Sequence, residues 1–332
     1  MTRRVAIGLL CCLASVNAQN QTFRVQTKVV QVPVSVTDKN GKNIDGLMVR
    51  DFVVLDDGAP QEITLDDFFS GLPPISLAIA IQTAGLSTPA LAKVRKIGSM
   101  IHPLVTGARG EAAVVTFDSQ VKWLQDFTSS EDKIASAVNG LKPRASVDQA
   151  RMLDAIVEAA ERMKDRKGRK MLLLISESRD RGSQTKFEDV LEAVEREGIE
   201  VYGAHYSAYA TAFASKPKDQ PDLTAPPVTP IDPDDDISSP GAINLLGILE
   251  LLRLGKTNVV DTLTRETGGS DYPFVRERGI ENSIEKLGTE VHSQYILSFT
   301  QRENASGLHA IEVSIPGRGD LKIRARRSYW AE

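Results

Sequence analysis

The run Ile75-Ser76-Leu77-Ala78-Ile79-Ala80-Ile81 constrains this chain more than any other feature. A strand with one wet face alternates apolar and polar residues. A run without alternation suits a central parallel strand covered by helices on both sides. The following residues keep to that plan. Ser87-Thr88-Pro89 supplies a helix cap and a first-turn proline, after which Leu91, Val94, Ile97 and Ile101 recur at helical spacing. Glu111 to Phe117 and Val121 to Leu124 read as strands around Asp118-Ser119. Ser129 with Asp132 opens a helix carrying Ile134, Val138 and Leu141, and a further helix shows Leu153, Ile156, Val157, Ala160 and Met163. Met171 to Ile175 is the next buried strand. Phe187, Val190, Leu191 and Val194 form a helical stripe ended by Gly198, and the strand Ile199 to His205 follows. This alternation predicts an α/β fold, a doubly wound, mostly parallel sheet with right-handed crossovers.

On either side the period is two. Val30, Val32, Val34 and Val36 alternate with Gln31, Pro33, Ser35 and Thr37, and Pro33 predicts a place at or near a sheet edge. Asp56-Asp57-Gly58, between Phe52 to Leu55 and Glu62 to Leu65, is a hairpin signal. Near the other end, Ile311, Val313 and Ile315, a Pro316-Gly317 turn, then Leu321, Ile323 and Ala325 read as a second hairpin. Neither piece is large enough to bury a core alone. The expected division is therefore an N-terminal β segment (19–72), an α/β domain (73–299) that includes a strand from Gln294 to Phe299, and a C-terminal β-hairpin (300–332) pairing with 19–72 in a small sandwich-like domain. Within the α/β domain, residues 215–241 are rich in Pro and Asp without any period, which predicts an exposed, mobile loop.

Arg3 and Arg4, an apolar run from Val5 to Val16, and small residues ending at Ala18 read as a signal peptide (1–18) cleaved after Ala18. Bulky leucines before Cys11 and Cys12 disfavour a lipoprotein reading. Those are the chain's two cysteines, so the mature protein would have no disulfide, no thiolate nucleophile and no Cys-based metal site. The expected location is secreted or periplasmic. A net charge of −4 without any Lys/Arg block argues against a nucleic-acid partner. No later segment is long and apolar enough for a transmembrane anchor.

Other motifs resolve into bland readings. Arg318-Gly319-Asp320 has the composition of a turn. Gly255-Lys256-Thr257 lacks the strand and earlier glycine of a phosphate loop, and Asp232 to Asp236 lacks the ligand spacing of a calcium loop. The four histidines, His102, His205, His292 and His309, fall in no catalytic motif. The segment Ile243 to Leu254 is apolar around most of a helix, which favours burial, with association through this helix as the alternative.

Several passages together carry a family likeness: Val30 to Thr37, Asp51-Phe52, Asp56-Asp57-Gly58, Ile75 to Gly85, Leu172 to Ser183, Thr267 to Gly269, and Ser293-Gln294-Tyr295 through Tyr329. The α/β segment resembles the von Willebrand factor type A domain, and the chain from Thr22 onward resembles the VWFA-related family of predicted secreted bacterial proteins, mainly acidobacterial. The resemblance implies the type A strand order and, in many relatives, a metal-ion-dependent adhesion site. That site takes an Asp-x-Ser-x-Ser loop, a Thr and a further Asp, the oxygen set that Mg²⁺ needs. At the matching positions this chain has Gln82-Thr83-Ala84-Gly85-Leu86, Ala150 near the expected Thr, and Glu177 within Ser176-Glu177-Ser178. The adhesion site is degenerate.

Open α/β sheets bind ligands where the strand order reverses, here between the ends of Ile75 to Gln82 and Met171 to Ser176. The reading is a noncatalytic protein-binding module, without metal or cofactor, for a partner in the cell envelope or outside the cell. Its candidate binding residues are Gln82, Thr83, Ser87, Glu177 and Asp180. Two alternatives stay open: a metal-dependent adhesion or assembly factor with substituted ligands, and a hydrolase with a dispersed site.

Overall fold

A computed structural model describes residues 29–66, 73–84, 94–142, 144, 149–205, 258–273, 279–302 and 305–331. The expected signal peptide, Ser87, the 215–241 loop and the Ile243 to Leu254 helix lie outside the described residues. Among those described, no helix is long and apolar enough to cross a membrane.

The chain begins with strand β1 (Val29–Asp38), whose four alternating valines are buried. Strand β2 (Val53–Asp56) turns at Asp57-Gly58 into β3 (Ala59–Pro60). Both turn residues have positive φ, 48° and 77°, the two-residue geometry that matches strand twist. The ladder is only two pairs long, and β4 (Ile63–Leu65) then joins a different sheet.

β5 (Ile75–Gln82) is buried at every position. It runs parallel between β6 (Glu111–Phe117) and β8 (Arg169–Ser176). Beyond β6 lies antiparallel β7 (Val121–Thr128), and beyond β8 lies parallel β9 (Ile199–His205). The order β7-β6-β5-β8-β9 reverses between β5 and β8, as in doubly wound sheets. A sixth position beside β9 is taken by residues 270–272: Gly203 N–H donates to the Ser270 carbonyl and Tyr272 N–H to the Gly203 carbonyl, both at 2.8 Å. Glycine is required there, because a Cβ on Gly203 would lie 2.3 Å from Asp271 Oδ1.

Helices cover both faces. They are α1 (Glu131–Asn139), α2 (Met152–Met163), α3 (Phe187–Arg196), α4 (Val259–Thr267) and α5 (Gly279–Ser293). Leu77, Ile79 and Ile81 of β5 pack with Ile134, Val138, Ile284 and Leu287 on one side. Ala78 and Ala80 pack with Ile156, Met163, Val190 and Leu263 on the other. Small residues on that side let α2 approach closely, and each fully buried Leu or Ile contributes about 1.5–3 kcal/mol. Residues 94–106 are helical but irregular, with a π turn at His102–Thr106 around Pro103, which has no N–H to complete the regular ladder.

The chain ends in β10 (Tyr295–Thr300), β11 (Gly307–Ser314), β12 (Leu321–Ala325) and β13 (Ser328–Ala331). Two antiparallel sheets result, β12-β1-β10-β4 and β13-β11-β2-β3, facing each other across one core of Val32, Val34, Val54, Leu297, Phe299, Ile311 and Tyr329.

Three expectations are corrected here. The strand from Gln294 to Phe299 is not part of the parallel sheet; Tyr295–Thr300 pairs with β1 and β4. The C-terminal hairpin is not a hairpin: β11 pairs with β2 and β13, β12 pairs with β1, and Pro316-Gly317 carries the chain from one sheet to the other. Both strands feed the same core, so their alternation looks alike whether they pair or face each other. β1 is interior, between β10 and β12, yet Pro33 meets no conflict. Ile296 turns its carbonyl toward Asp66, so Pro33 turns its nitrogen away from β10, and pairing with β12 starts only at Val34.

Arginines join the sandwich to the α/β layer. Arg326, from the β12 to β13 connection, donates to Glu195 Oε2 of α3 at 2.8 Å, and both residues are buried. Burial pushes the Glu195 carboxyl from its ordinary 4.5 up to about 7, against the opposing pull of Arg326. A carboxyl raised on folding stabilises most below its unfolded value, and that contribution is lost as pH rises through the folded value. The urea midpoint is therefore expected to fall between about pH 5 and about pH 8, and Glu195→Gln to flatten that slope.

Candidate functional site

The carboxyl ends of β5, β6 and β8 form the rim at the switch point. Gln82 closes β5 and is fully buried. Its carboxamide works at both ends, Nε2 donating to the Ala84 carbonyl at 3.0 Å and Oε1 accepting from Glu177 N–H at 3.1 Å. It thus ties the loop after β5 to the loop after β8. Thr83 is also buried and donates its hydroxyl to Asp118 Oδ2 at 3.0 Å.

Asp118, at the end of β6, is 5% exposed and was not among the candidates from sequence. Its Oδ1 accepts from Gln120 N–H and the Ser119 hydroxyl, while the Arg144 guanidinium stands 3.3 Å from Oδ2. Glu177 is matched in the same way, with Arg181 Nη2 at 3.2 Å from Oε2. Arg144 also joins the loop through a bridge to Ala84, and Arg181 through paired backbone bonds with Ala150. Ser178 follows with φ of 60° and a buried Oγ that has no hydrogen-bond partner among the described residues.

Asp180 faces inward. Its Oδ1 accepts from Leu153 N–H at 3.1 Å and the Ser183 hydroxyl at 2.6 Å, so it anchors the loop to the start of α2. Beside it Asp154 accepts from Thr185 N–H, the Thr185 hydroxyl, Gln184 N–H and Arg151 Nε. Burial pushes the Asp154 carboxyl up, but these bonds outweigh it and hold the group below the usual carboxylate range. At the far end of the rim, His205 Nδ1 lies 2.5 Å from Asp271 Oδ2. Burial draws the imidazole down, and the bond to Asp271 and its charge more than offset this, leaving it raised.

Gln82, Thr83, Glu177 and Asp180 therefore converge on one rim, and Ser87 falls outside the described residues. These residues do not fit the Mg²⁺ of a type A adhesion site. The amide oxygen of Gln82 is already used, Ala84 and Ala150 offer methyl groups, and the two outer carboxylates face guanidinium groups. Positive charge is present, but it is covalently attached. Asp118 was findable in principle, since in a doubly wound sheet the residue after the last apolar position of the neighbouring strand shares this rim. Arg144 and Arg181 sit in loops with no period to align, and no local signal marks them.

No protein-family model matches the chain, and no curated protein does. Among solved structures, BatB from Bacteroides thetaiotaomicron is similar at 11% identity, covering 66% of this chain and 98% of that one with a TM-score of 0.43. An aerotolerance-related membrane protein from Bacteroides fragilis is similar at 12% identity, over 67% and 99% of the two chains with a TM-score of 0.41. The vWF domain of the type V pili tip protein Mfa5 from Porphyromonas gingivalis is 17% identical over 32% of this chain and 38% of that one, with a TM-score of 0.28. The fold assignment rests on strand order and register rather than on these likenesses.

Proposed function

We propose that this chain is a noncatalytic, secreted or periplasmic protein-binding module of von Willebrand factor type A-like build, whose degenerate adhesion site engages a partner without a divalent ion. The observation that carries this reading is the pairing of Asp118 with Arg144 and of Glu177 with Arg181, where a cation would otherwise be needed. Arg179 is exposed on the same loop as Arg181. Guanidinium groups recognise carboxylates bidentately, so a partner presenting acidic side chains suits this rim. A catalytic serine needs a base within hydrogen-bond reach, and Ser178 Oγ has no such neighbour among the described residues.

Capture of envelope proteins on the immobilised chain tests the proposal. The expected result is a partner retained equally with Mg²⁺ and with EDTA, and lost from an Arg144→Glu, Arg179→Glu double variant. Retention that needs Mg²⁺ would favour the metal-dependent alternative. Retention indifferent to both arginines would place the contact elsewhere.

A further inference from the structure

A second constellation lies far from this rim, on the sandwich. Asp56 ends β2, Asp57 is the first turn residue, and His309 stands on the adjacent strand β11, next to the Ala310 that faces the turn. One carboxylate oxygen of each aspartate and Nδ1 of His309 all lie within 4.8 Å of one another. His309 Nδ1 is 2.8 Å from Asp57 Oδ2 and 3.6 Å from Asp56 Oδ1.

The remaining oxygens are held by the protein. Asp57 Oδ1 accepts from Ala310 N–H at 2.9 Å. Asp56 Oδ2 accepts from Arg302 Nε at 2.8 Å and from the Tyr329 hydroxyl at 3.3 Å. The His309 ring stacks on Tyr329, with centroids 5.2 Å apart. These contacts orient each carboxylate and leave one oxygen of each turned toward the imidazole, as outer-shell partners do for metal ligands.

A second observation points to a cation as the ligand of this cluster. Asp56 is 0% exposed, yet among the described residues its Oδ1 has no hydrogen-bond partner. A buried carboxylate oxygen left without a donor is costly. A proton on Nδ1 could serve only one oxygen, the nearer being Asp57 Oδ2 at 2.8 Å, which leaves Asp56 Oδ1 at 3.6 Å without a donor. A cation about 2 Å from all three atoms would satisfy them together, and tetrahedral ligands at that range sit about 3.3 Å apart, between the two distances seen. With His309 neutral, two carboxylates and the Arg302 guanidinium leave the cluster one net negative charge. The outer side is open, since the Asp57 side chain is 45% exposed, which leaves room for water as a further ligand.

We propose that Asp56 Oδ1, Asp57 Oδ2 and His309 Nδ1 bind one divalent transition-metal ion of the zinc type. An imidazole nitrogen with two carboxylates suits Zn²⁺ better than Mg²⁺, which prefers an all-oxygen shell. The ion would join the β2 to β3 turn to β11 and so tie the N-terminal segment to the C-terminal one.

The test is calorimetric titration of the full chain with Zn²⁺, with Cys11 and Cys12 replaced by serine so that no thiolate competes, and visible absorption after loading with Co²⁺. The expected result is one saturable site per chain, a Co²⁺ spectrum of low coordination number, and affinity weakened by more than about 100-fold in Asp57→Asn and in His309→Gln, with Tyr329→Phe about 10-fold weaker. Asp57 lies in an exposed turn, so its variant decides the matter if His309→Gln fails to fold. No saturable Zn²⁺ binding, or equal binding by the parent chain and Asp57→Asn, would overturn the proposal. So would Mg²⁺ competing on equal terms.

Discussion

Arg169→Ala is expected to lower the unfolding free energy by about 3–5 kcal/mol, read as a fall in the urea midpoint without a change of slope. Arg169 opens β8 and is 3% exposed. Its guanidinium donates to both oxygens of Glu200 at 2.9 and 3.0 Å, to the Val291 carbonyl at 3.0 Å, and to Gln294 Oε1. Gln294 in turn reaches Ser35 of β1 and the buried Tyr202 hydroxyl. Removing the arginine leaves the Glu200 charge buried without its partner and cuts a link between sheet and sandwich. An Arg169→Met, Glu200→Leu pair should cost much less than the single change, because it leaves no charge behind. A loss below about 1 kcal/mol for Arg169→Ala would show that water reaches Glu200 and that this network is not dry.

Asp154→Ala should be nearly as damaging, at about 3 kcal/mol, and it should also disorder the rim at the switch point. Hydrogen bonds to an ionised group contribute about 1.5–3 kcal/mol each, though not additively. Asp154 holds the N–H groups of Gln184 and Thr185 and so fixes the loop that carries Asp180 and Arg181. Because its folded carboxyl is held low, its contribution is present above the ordinary carboxylate range and is lost as pH falls through the folded value. Parent and variant stabilities should therefore converge in strong acid. Hydrogen exchange should report faster opening at residues 180–185 in the variant, with the protection of β5 and β8 retained.

The parallel sheet was legible because burial on both faces of β5 puts alanines, rather than polar residues, between Leu77, Ile79 and Ile81. The Asp57-Gly58 turn was legible because few residues accept two successive positive φ angles. The arrangement of the C-terminal strands was not, since an alternating strand that pairs and one that faces across a core bury the same residues. At the rim, Gln82, Thr83, Glu177 and Asp180 follow from their places at strand ends. The guanidinium groups of Arg144 and Arg181 reach that rim from irregular loops, a lateral relation that no local spacing records. The cluster of Asp56, Asp57 and His309 is less visible still, because its members come from opposite ends of the chain and meet only when β2 pairs with β11.

The central claim is that the rim at the switch point supplies its own positive charge and takes no divalent ion. Calorimetric titration of the Asp57→Asn chain with Mg²⁺ tests it most directly, since that variant removes the sandwich cluster as a competing site. The account predicts no saturable heat into the millimolar range and no change in thermal midpoint. Saturable binding of one Mg²⁺ per chain, lost in Glu177→Gln, would contradict it.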